Sequence, residues 1–161
     1  MTAEPAITIR AAREPDVGAL VMLIHEHADF ERAEPPRDGL AERLPGLLFG
    51  PSPRLFALVA DDGREVLGYA TAELHLSTWD ASEYLHLDCL FVRDDARSLG
   101  IGAMLLNRVQ TLARDLGATE VQWQTPEWND GAVRFYDRAG GIRRAKYRYS
   151  LAVGSETRKY S

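Results

Sequence analysis

Cysteine is almost absent from this 161-residue chain, which contains only Cys89. A single cysteine cannot form an intrachain disulfide, so we expect a reducing compartment, the cytoplasm. The chain also lacks any run of about 18 apolar residues, which a membrane-spanning helix needs. Its first residues, Met1 to Ile9, contain Glu4 and Pro5 where a secretion signal has a basic segment before an apolar one. We therefore expect neither secretion nor a membrane contact.

An excess of basic residues is absent as well. The chain has 19 Lys and Arg against 24 Asp and Glu, a formal net charge of -5, which argues against nucleic-acid binding. This charge is compatible with a small cationic substrate, but acidity of this size usually only keeps a protein soluble. The length and the hydrophobic fraction of 45% are typical of one folded domain. We expect that domain over residues 5–153, followed by a tail over 154–161.

The spacing of apolar residues predicts a mixed α/β fold. The predicted strands are 7–11, 55–60, 66–76, 84–92 and 120–124, with a final extended stretch over 142–153. The predicted helices are 17–28, about 38–48, 100–116 and 129–138. Short links between the early strands indicate an antiparallel meander. Together these elements predict a three-layer, mostly antiparallel mixed sheet with helices on both faces.

The junction from Val92 to Gly100 is a strand that leads through a glycine-bearing loop into a helix. The first turn of a helix has unpaired N–H groups and a partial positive charge, and Gly100 and Gly102 lack the Cβ atoms that could block an anion there. Arg97 adds a cationic fork, which favours a diphosphate over one carboxylate. A tight turn at a helix start explains the glycines equally well. A Walker A loop is excluded because no Gly-Lys-Ser/Thr follows, and Leu105 replaces the third glycine of a dinucleotide fingerprint.

The run Leu90-Phe91-Val92, followed by Arg97-Ser98-Leu99-Gly100-Ile101-Gly102, resembles the strand and Q/R-x-x-G-x-G/A signature of the GNAT acetyltransferase superfamily. The resemblance implies that acetyl-CoA is the co-substrate. The loop amides would hold its pyrophosphate, and the strand would pair with its pantetheine arm. The implied cofactor-binding residues here are Leu90, Phe91, Val92, Arg97, Ser98, Leu99, Gly100, Ile101, Gly102 and Ala103.

A second segment, Trp128-Asn129-x-x-Ala132-x-x-Phe135-Tyr136-x-x-x-Gly140, resembles another part of the same superfamily. Asn129 can cap a helix and Gly140 can end it, so core packing is an open alternative for Tyr136. The resemblance implies that Asn129 contacts the pantetheine arm and that Tyr136 lies near the coenzyme sulfur as general acid. A phenol with a pKa of about 10 can protonate a departing thiolate whose thiol pKa is around 8.5 or higher.

Within the superfamily the chain is similar to the diamine (spermidine/spermine) acetyltransferase branch. Segments 27–31, 77–79, 84–92 and 128–129 carry this similarity. It implies direct acetyl transfer, in a ternary complex, to a primary amine of a diamine or polyamine, and a homodimer. The branch has a Leu-Glu-Asp run where this chain has Leu87-Asp88-Cys89, so its substrate contacts and its base are not carried over. A lysine-like amino acid, an aminoglycoside, a protein amine or a non-catalytic CoA-binding module remain alternatives.

The amine has to lose a proton, because an ammonium with a pKa of about 10.4 is almost fully protonated at pH 7. In strict strand alternation His86, Asp88 and Leu90 share one face, so His86 and Asp88 could hold a water that relays this proton. A bulge would change that facing. A partly exposed cross-strand position for His86 and a structural hydrogen-bond acceptor role for Asp88 remain open alternatives. We expect Glu31 and Trp79 to contact a cationic substrate as well. A solvated charged face is the alternative for Glu31, and packing at a loop is the alternative for Trp79.

Neither the cysteine nor the two neighbouring histidines are predicted to form a nucleophile or a metal site. Cys89 is interpreted as a small core residue rather than a nucleophile, because the sequence identifies no partner base. His25 and His27 lie two residues apart on a predicted helix, so their side chains diverge and do not form a metal pair. No metal site is expected, and the transfer reaction requires none.

Overall fold

A mixed β-sheet organises residues 6–154, the part of the chain that the computed structural model describes. The strands found there are β1 (Thr8–Ala11), β2 (Phe56–Asp61), β3 (Val66–Ser77), β4 (Ser82–Val92) and β5 (Val121–Gln122). The helices are α1 (Val17–Phe30), α2 (Leu40–Phe49), α3 (Ile101–Asp115) and α4 (Asp130–Arg138). Two short 3-10 turns cover Glu14–Asp16 and Asp94–Ala96. No helix in this range is long and apolar enough to cross a membrane.

The strands follow one another across the sheet in chain order. The pairs from β1 to β4 are antiparallel, as the short links predict, and β5 pairs with β4 in parallel. That last pairing joins Leu85 to Val121 and His86 to Gln122. Strand β4 continues to Val92, whereas β5 ends at Gln122. Among residues 6–154, the second half of β4 therefore has no strand neighbour on this side.

Helix α3 covers one face of the sheet. Its buried side chains Ile101, Leu105 and Val109 pack on Leu85 and Leu87 of β4. The helix repeats its apolar positions at three and four residues, and the strand does so at every second residue, so both present one continuous apolar surface. This burial removes apolar area from water, which is the main stabilising contribution to folding.

Helices α1 and α2 cover the opposite face. Leu20 and Leu44 of these helices pack on Val59, Tyr69 and Phe91 from the three central strands. Helices on both faces give the predicted three-layer arrangement, so the predicted α/β fold class is confirmed. Strand β4 is therefore covered on both faces, and beyond the end of β5 Leu90 packs under α3 and Phe91 under α1.

A bulge in β4 changes which side chains face each helix layer. In the pairing with β3, Thr71 lies opposite Cys89 while Ala72 lies opposite Leu87, which leaves Asp88 as the extra residue. Leu87 packs in the core under α3, and two residues later Cys89 packs in the core under α1. The prediction that His86, Asp88 and Leu90 share one face of the strand is wrong, because the bulge inverts the alternation of side chains at Asp88.

The C-terminal part of the described chain differs from its prediction. Residues 141–154 belong to no helix or strand, and β5 is shorter than the predicted 120–124. Tyr147, Tyr149 and Leu151 are about nine-tenths exposed. A strand is stabilised by pairing with a neighbour, and this segment has no pairing within the described residues. Of the predicted tail, residues 155–161 lie outside the described part.

Candidate active site

A cleft with a volume of about 720 Å³ opens where β4 and β5 separate. Its walls are the second half of β4, residues 123–125 after β5, the first turn of α3, helix α4 and the C-terminal end of α1. Eleven of the twelve predicted cofactor-binding residues line it: Leu90, Phe91, Val92, Arg97, Ser98, Gly100, Ile101, Gly102, Ala103, Asn129 and Tyr136. Leu99, 60% exposed, is not among the lining residues.

The start of α3 presents backbone donors to this cleft. Gly100 is the N-cap residue with a φ of 78°, and Met104 N–H donates to its carbonyl as the first intrahelical bond. The N–H groups of residues 101–103 therefore precede the helix ladder and can bind an anion. A Cβ on Gly100 would meet no atom within 4 Å, so this glycine is required by its left-handed backbone, and the space above it is open.

Gly102 has a packing role in addition to the one predicted. A Cβ built on it would lie 3.3 Å from Cζ of Phe135. This distance is shorter than an ordinary van der Waals contact, so the missing side chain lets α4 pack closely on the first turn of α3. The glycine therefore brings the two halves of the cleft together, in addition to leaving the anion site open.

Arg97 points into the cleft along an aromatic wall. Its Nε donates to the carbonyl of Val92 at 3.1 Å, and its guanidinium carbon lies 4.3 Å from the Phe30 ring centroid and 5.4 Å from that of Phe91. Nη1 is 3.4 Å from a carboxylate oxygen of Asp94. The stacking holds a permanent cation between the end of α1 and the start of α3, in the cleft that the sequence assigned to a diphosphate.

Tyr136 and Asn129 form the α4 side of the cleft. The Asn129 side chain accepts from the N–H of Ala132 at 3.2 Å, so it caps the helix as predicted. The Tyr136 ring lies between Trp123 and Phe135, with centroids 5.2 and 5.1 Å away. Burial, followed by the nearby Glu31 and Cys89, raises the pKa of Tyr136 to about 12. At neutral pH the phenol is therefore protonated and can serve as a proton donor.

The predicted substrate residues divide into two groups. Glu31 and Asp88 line the cleft, whereas His86 and Trp79 do not. Trp79 is 98% exposed in the turn between β3 and β4. The His86 ring stacks on His75, and its Nε2 lies 3.7 Å from Asp88 Oδ1. The structure thus keeps His86 near Asp88, but it places only the carboxylate in the cleft.

His27 is a lining residue that the sequence did not identify. Its ring stacks on Phe91 at 5.0 Å, Nδ1 lies 2.8 Å from Tyr69 Oη, and Nε2 lies 3.1 Å from Glu31 Oε1. Burial lowers the pKa of His27, but hydrogen bonds with Cys89 and Glu31 outweigh it and bring the value to about 9. The sequence signals were the place of His27 in segment 27–31, which carries the branch similarity, and its spacing of four residues from Glu31.

His27 also changes the interpretation of Cys89. The sequence identified no base near this thiol, and the structure places the His27 ring beside it. Cys89 nevertheless packs against the core under α1, as expected for a small apolar residue. His25 points away, with Nδ1 2.8 Å from the carbonyl of Val21. Among the described side chains, no three His, Cys, Asp or Glu residues form a group that could hold a metal ion.

The geometry agrees with comparisons to known proteins. The sequence model of the acetyltransferase (GNAT) family matches residues 20–141. The chain belongs to this family. Thialysine N-epsilon-acetyltransferase of Caenorhabditis elegans is 30% identical over 118 residues, 73% of this chain and 72% of that protein. D-amino-acid N-acetyltransferase of Saccharomyces cerevisiae is 27% identical over 134 residues, 82% and 83% of the two chains.

Solved structures show the same fold. A possible acetyltransferase from Clostridium difficile 630 superimposes with a TM-score of 0.78 over 91% of this chain and 97% of that one, at 19% identity. The GNAT resemblance carried by the two glycine-bearing segments is confirmed, and the chain is an N-acetyltransferase. The comparisons do not single out the diamine branch within the family.

Proposed function

We propose that this GNAT enzyme transfers the acetyl group of acetyl-CoA to a primary amine of a small cationic substrate, by direct attack in a ternary complex. The single observation that supports it is the content of the cleft. Unpaired amides at the start of α3, a protonated phenol at Tyr136 and the carboxylates of Glu31 and Asp88 line the same space. Donor and acceptor can therefore meet without an intermediate carrier, which favours transfer by proximity.

The residues present fit acetyl-CoA. The space above Gly100 is open, the N–H groups of residues 101–103 precede the helix ladder, and Arg97 supplies a fixed cation. Within the described residues, β4 beyond His86 has no pairing with β5, so the backbone of residues 90–92 is available to the pantetheine arm. When bound, acetyl-CoA supplies the thioester. We assign its binding to this edge, to the α3 turn and to Asn129.

The side chains divide the proton transfers between them. Backbone N–H groups of β4 around Leu90 can polarise the thioester carbonyl, and Tyr136 donates a proton to the leaving sulfur. Asp88, which the bulge leaves 57% exposed, is proposed to hold the water that accepts the proton of the amine.

The acceptor is proposed to be cationic because two carboxylates, Glu31 and Asp88, line the cleft and attract a positive charge. The resemblance of residues 27–31 and 84–92 to the diamine acetyltransferase branch favours a diamine or polyamine as the acceptor. A lysine-like amino acid is a second candidate, since relatives are named thialysine N-epsilon-acetyltransferase and D-amino-acid N-acetyltransferase. His86 and Trp79 contribute to the site only if the substrate extends beyond the cleft.

Thiol release with acetyl-CoA and a panel of amines tests this function. Spermidine, 1,5-diaminopentane, thialysine and an aminoglycoside represent the candidate classes. Turnover on 1,5-diaminopentane or spermidine, reduced in the Glu31→Gln and Asp88→Asn variants, is the expected result. Turnover on thialysine alone would show that the acceptor is an amino acid and not a diamine. Tight binding of acetyl-CoA without turnover on any amine would leave a non-catalytic CoA-binding module.

We further propose that a single domain over residues 5–153 acts in the cytoplasm as a homodimer. Exposed apolar side chains alternate along the segment after Gly141, at Tyr147, Tyr149, Leu151 and Val153. Such alternation is typical of a strand that pairs along one edge, and a second copy of the chain is the partner we propose. A Tyr149→Asp/Leu151→Asp variant should sediment as a monomer where the parent sediments as a dimer. A monomeric parent protein would contradict the proposal.

A further inference from the structure

Glu31, the carboxylate proposed to attract the substrate, already has an ionic partner inside the protein. His27 Nε2 lies 3.1 Å from Glu31 Oε1, and the two side chains are 13% and 33% exposed. Stacking on Phe91 and the 2.8 Å contact of Nδ1 with Tyr69 Oη hold the imidazole ring in place. The ring can therefore gain or lose a proton without moving away from the cleft.

The surroundings of His27 favour its charged form. Glu31 faces it from the C-cap of α1, Tyr69 from β3 and Cys89 from β4. The guanidinium of Arg97 lies over the same Phe91 ring. Burial raises the pKa of the Tyr69 phenol far above its usual range, so this group stays neutral and its oxygen can accept from Nδ1–H. Nε2–H then donates to Glu31. At neutral pH the carboxylate is thus neutralised by a cation of the protein itself.

A substrate ammonium group and the imidazolium need the same carboxylate oxygens. We propose that the imidazolium of His27 competes with the ammonium group of the acceptor for Glu31, so that acceptor binding releases a proton from His27. The inference rests on the proposed function, because it requires a cationic acceptor. After the proton has left, Nε2 has a free lone pair, and the ammonium can donate to both Nε2 and Glu31. His27 is in this sense a positioning residue that sets the affinity for cations.

The competition makes cation binding depend on pH in a defined direction. With a pKa of about 9, about 3% of His27 is neutral at pH 7.5, so exclusive competition weakens cation binding by about 30-fold at this pH. Binding strengthens as the pH rises through about 9. An alkyl ammonium loses its own charge near pH 10.4, so its binding is strongest between these two values. By reciprocity, a bound cation lowers the pKa of His27.

The test uses a ligand whose charge does not titrate. Pentane-1,5-bis(trimethylammonium) should inhibit acetylation of 1,5-diaminopentane, and its inhibition constant should fall in the parent protein as the pH rises from 7.5 to 9.5. His27→Gln keeps an amide next to Glu31 and Tyr69 but removes the charge. We expect it to bind this ligand about tenfold more tightly at pH 7.5, with no dependence on pH. His25→Gln, on the exposed side of the same helix, should behave like the parent.

Calorimetry provides a readout that needs no variant. Titration of this ligand at pH 8 in two buffers of different ionisation enthalpy should show the release of close to one proton per ligand bound. An inhibition constant that is independent of pH in the parent, weaker binding in His27→Gln, or no proton release would overturn the inference. These results can be distinguished from failure of the proposed function. If the proposed function is wrong, the parent protein acetylates no cationic amine.

Discussion

Replacing Tyr136 by Phe removes one oxygen atom from the wall of the cleft and leaves its ring between Trp123 and Phe135. The apolar contacts of the residue are the same in both side chains, so the folded state and the binding of acetyl-CoA should change little. Loss of a positioned general acid typically lowers a rate by 10² to 10⁴-fold. We expect kcat to fall by about 10²-fold or more, with the dissociation constant of acetyl-CoA within about twofold of the parent.

The assay is thiol release from acetyl-CoA at saturating amine, with acetyl-CoA affinity measured separately by calorimetry. Tyr84→Phe is the matched control, because the Tyr84 hydroxyl contacts His75 Nδ1 at 3.3 Å and Tyr84 does not line the cleft. The phenol of Tyr136 is active when protonated and has a pKa of about 12, so its loss of a proton should not lower activity below about pH 11. Unchanged turnover in Tyr136→Phe would refute the assignment of this residue as the acid.

Two further predictions concern packing and pH. Gly102→Ala should lower the free energy of unfolding by about 1 to 3 kcal/mol and weaken acetyl-CoA binding, because its Cβ meets Phe135 at 3.3 Å. Gly18→Ala, at a position in α1 with open space around it, should instead raise the temperature of thermal unfolding. Hydrogen bonds from Arg10 at 2.7 and 2.9 Å lower the pKa of Asp16. This pair therefore stabilises the fold above the ordinary Asp pKa of about 3.9 and loses its effect as the pH falls through the lowered value. In Arg10→Ala, the free energy of unfolding measured in urea should therefore fall less steeply as the pH is lowered through this range. An unchanged dependence on pH would contradict the assignment.

The residues proposed to bind the cofactor could be grouped from the sequence because their signals are local. A left-handed glycine at a helix start, a helix cap at Asn129 and the helical spacing that brings Tyr136 onto the same side all act within a few residues. The fold class followed from the same kind of information, since the periodicity of apolar residues determines which faces are buried. The family resemblance then gave these local features a chemical meaning.

The part of the cleft proposed to bind the amine was decided by tertiary contacts. The bulge at Asp88 arises from the register between β3 and β4, which no alternation within β4 reveals. His27 meets Tyr69, 42 residues later in the chain, and Phe91 from a further strand. Its position in the cleft therefore depends on how α1 packs across the sheet. Electrostatics act through space, so the partners and the charge of such a group follow from the packed structure and not from its neighbours in sequence.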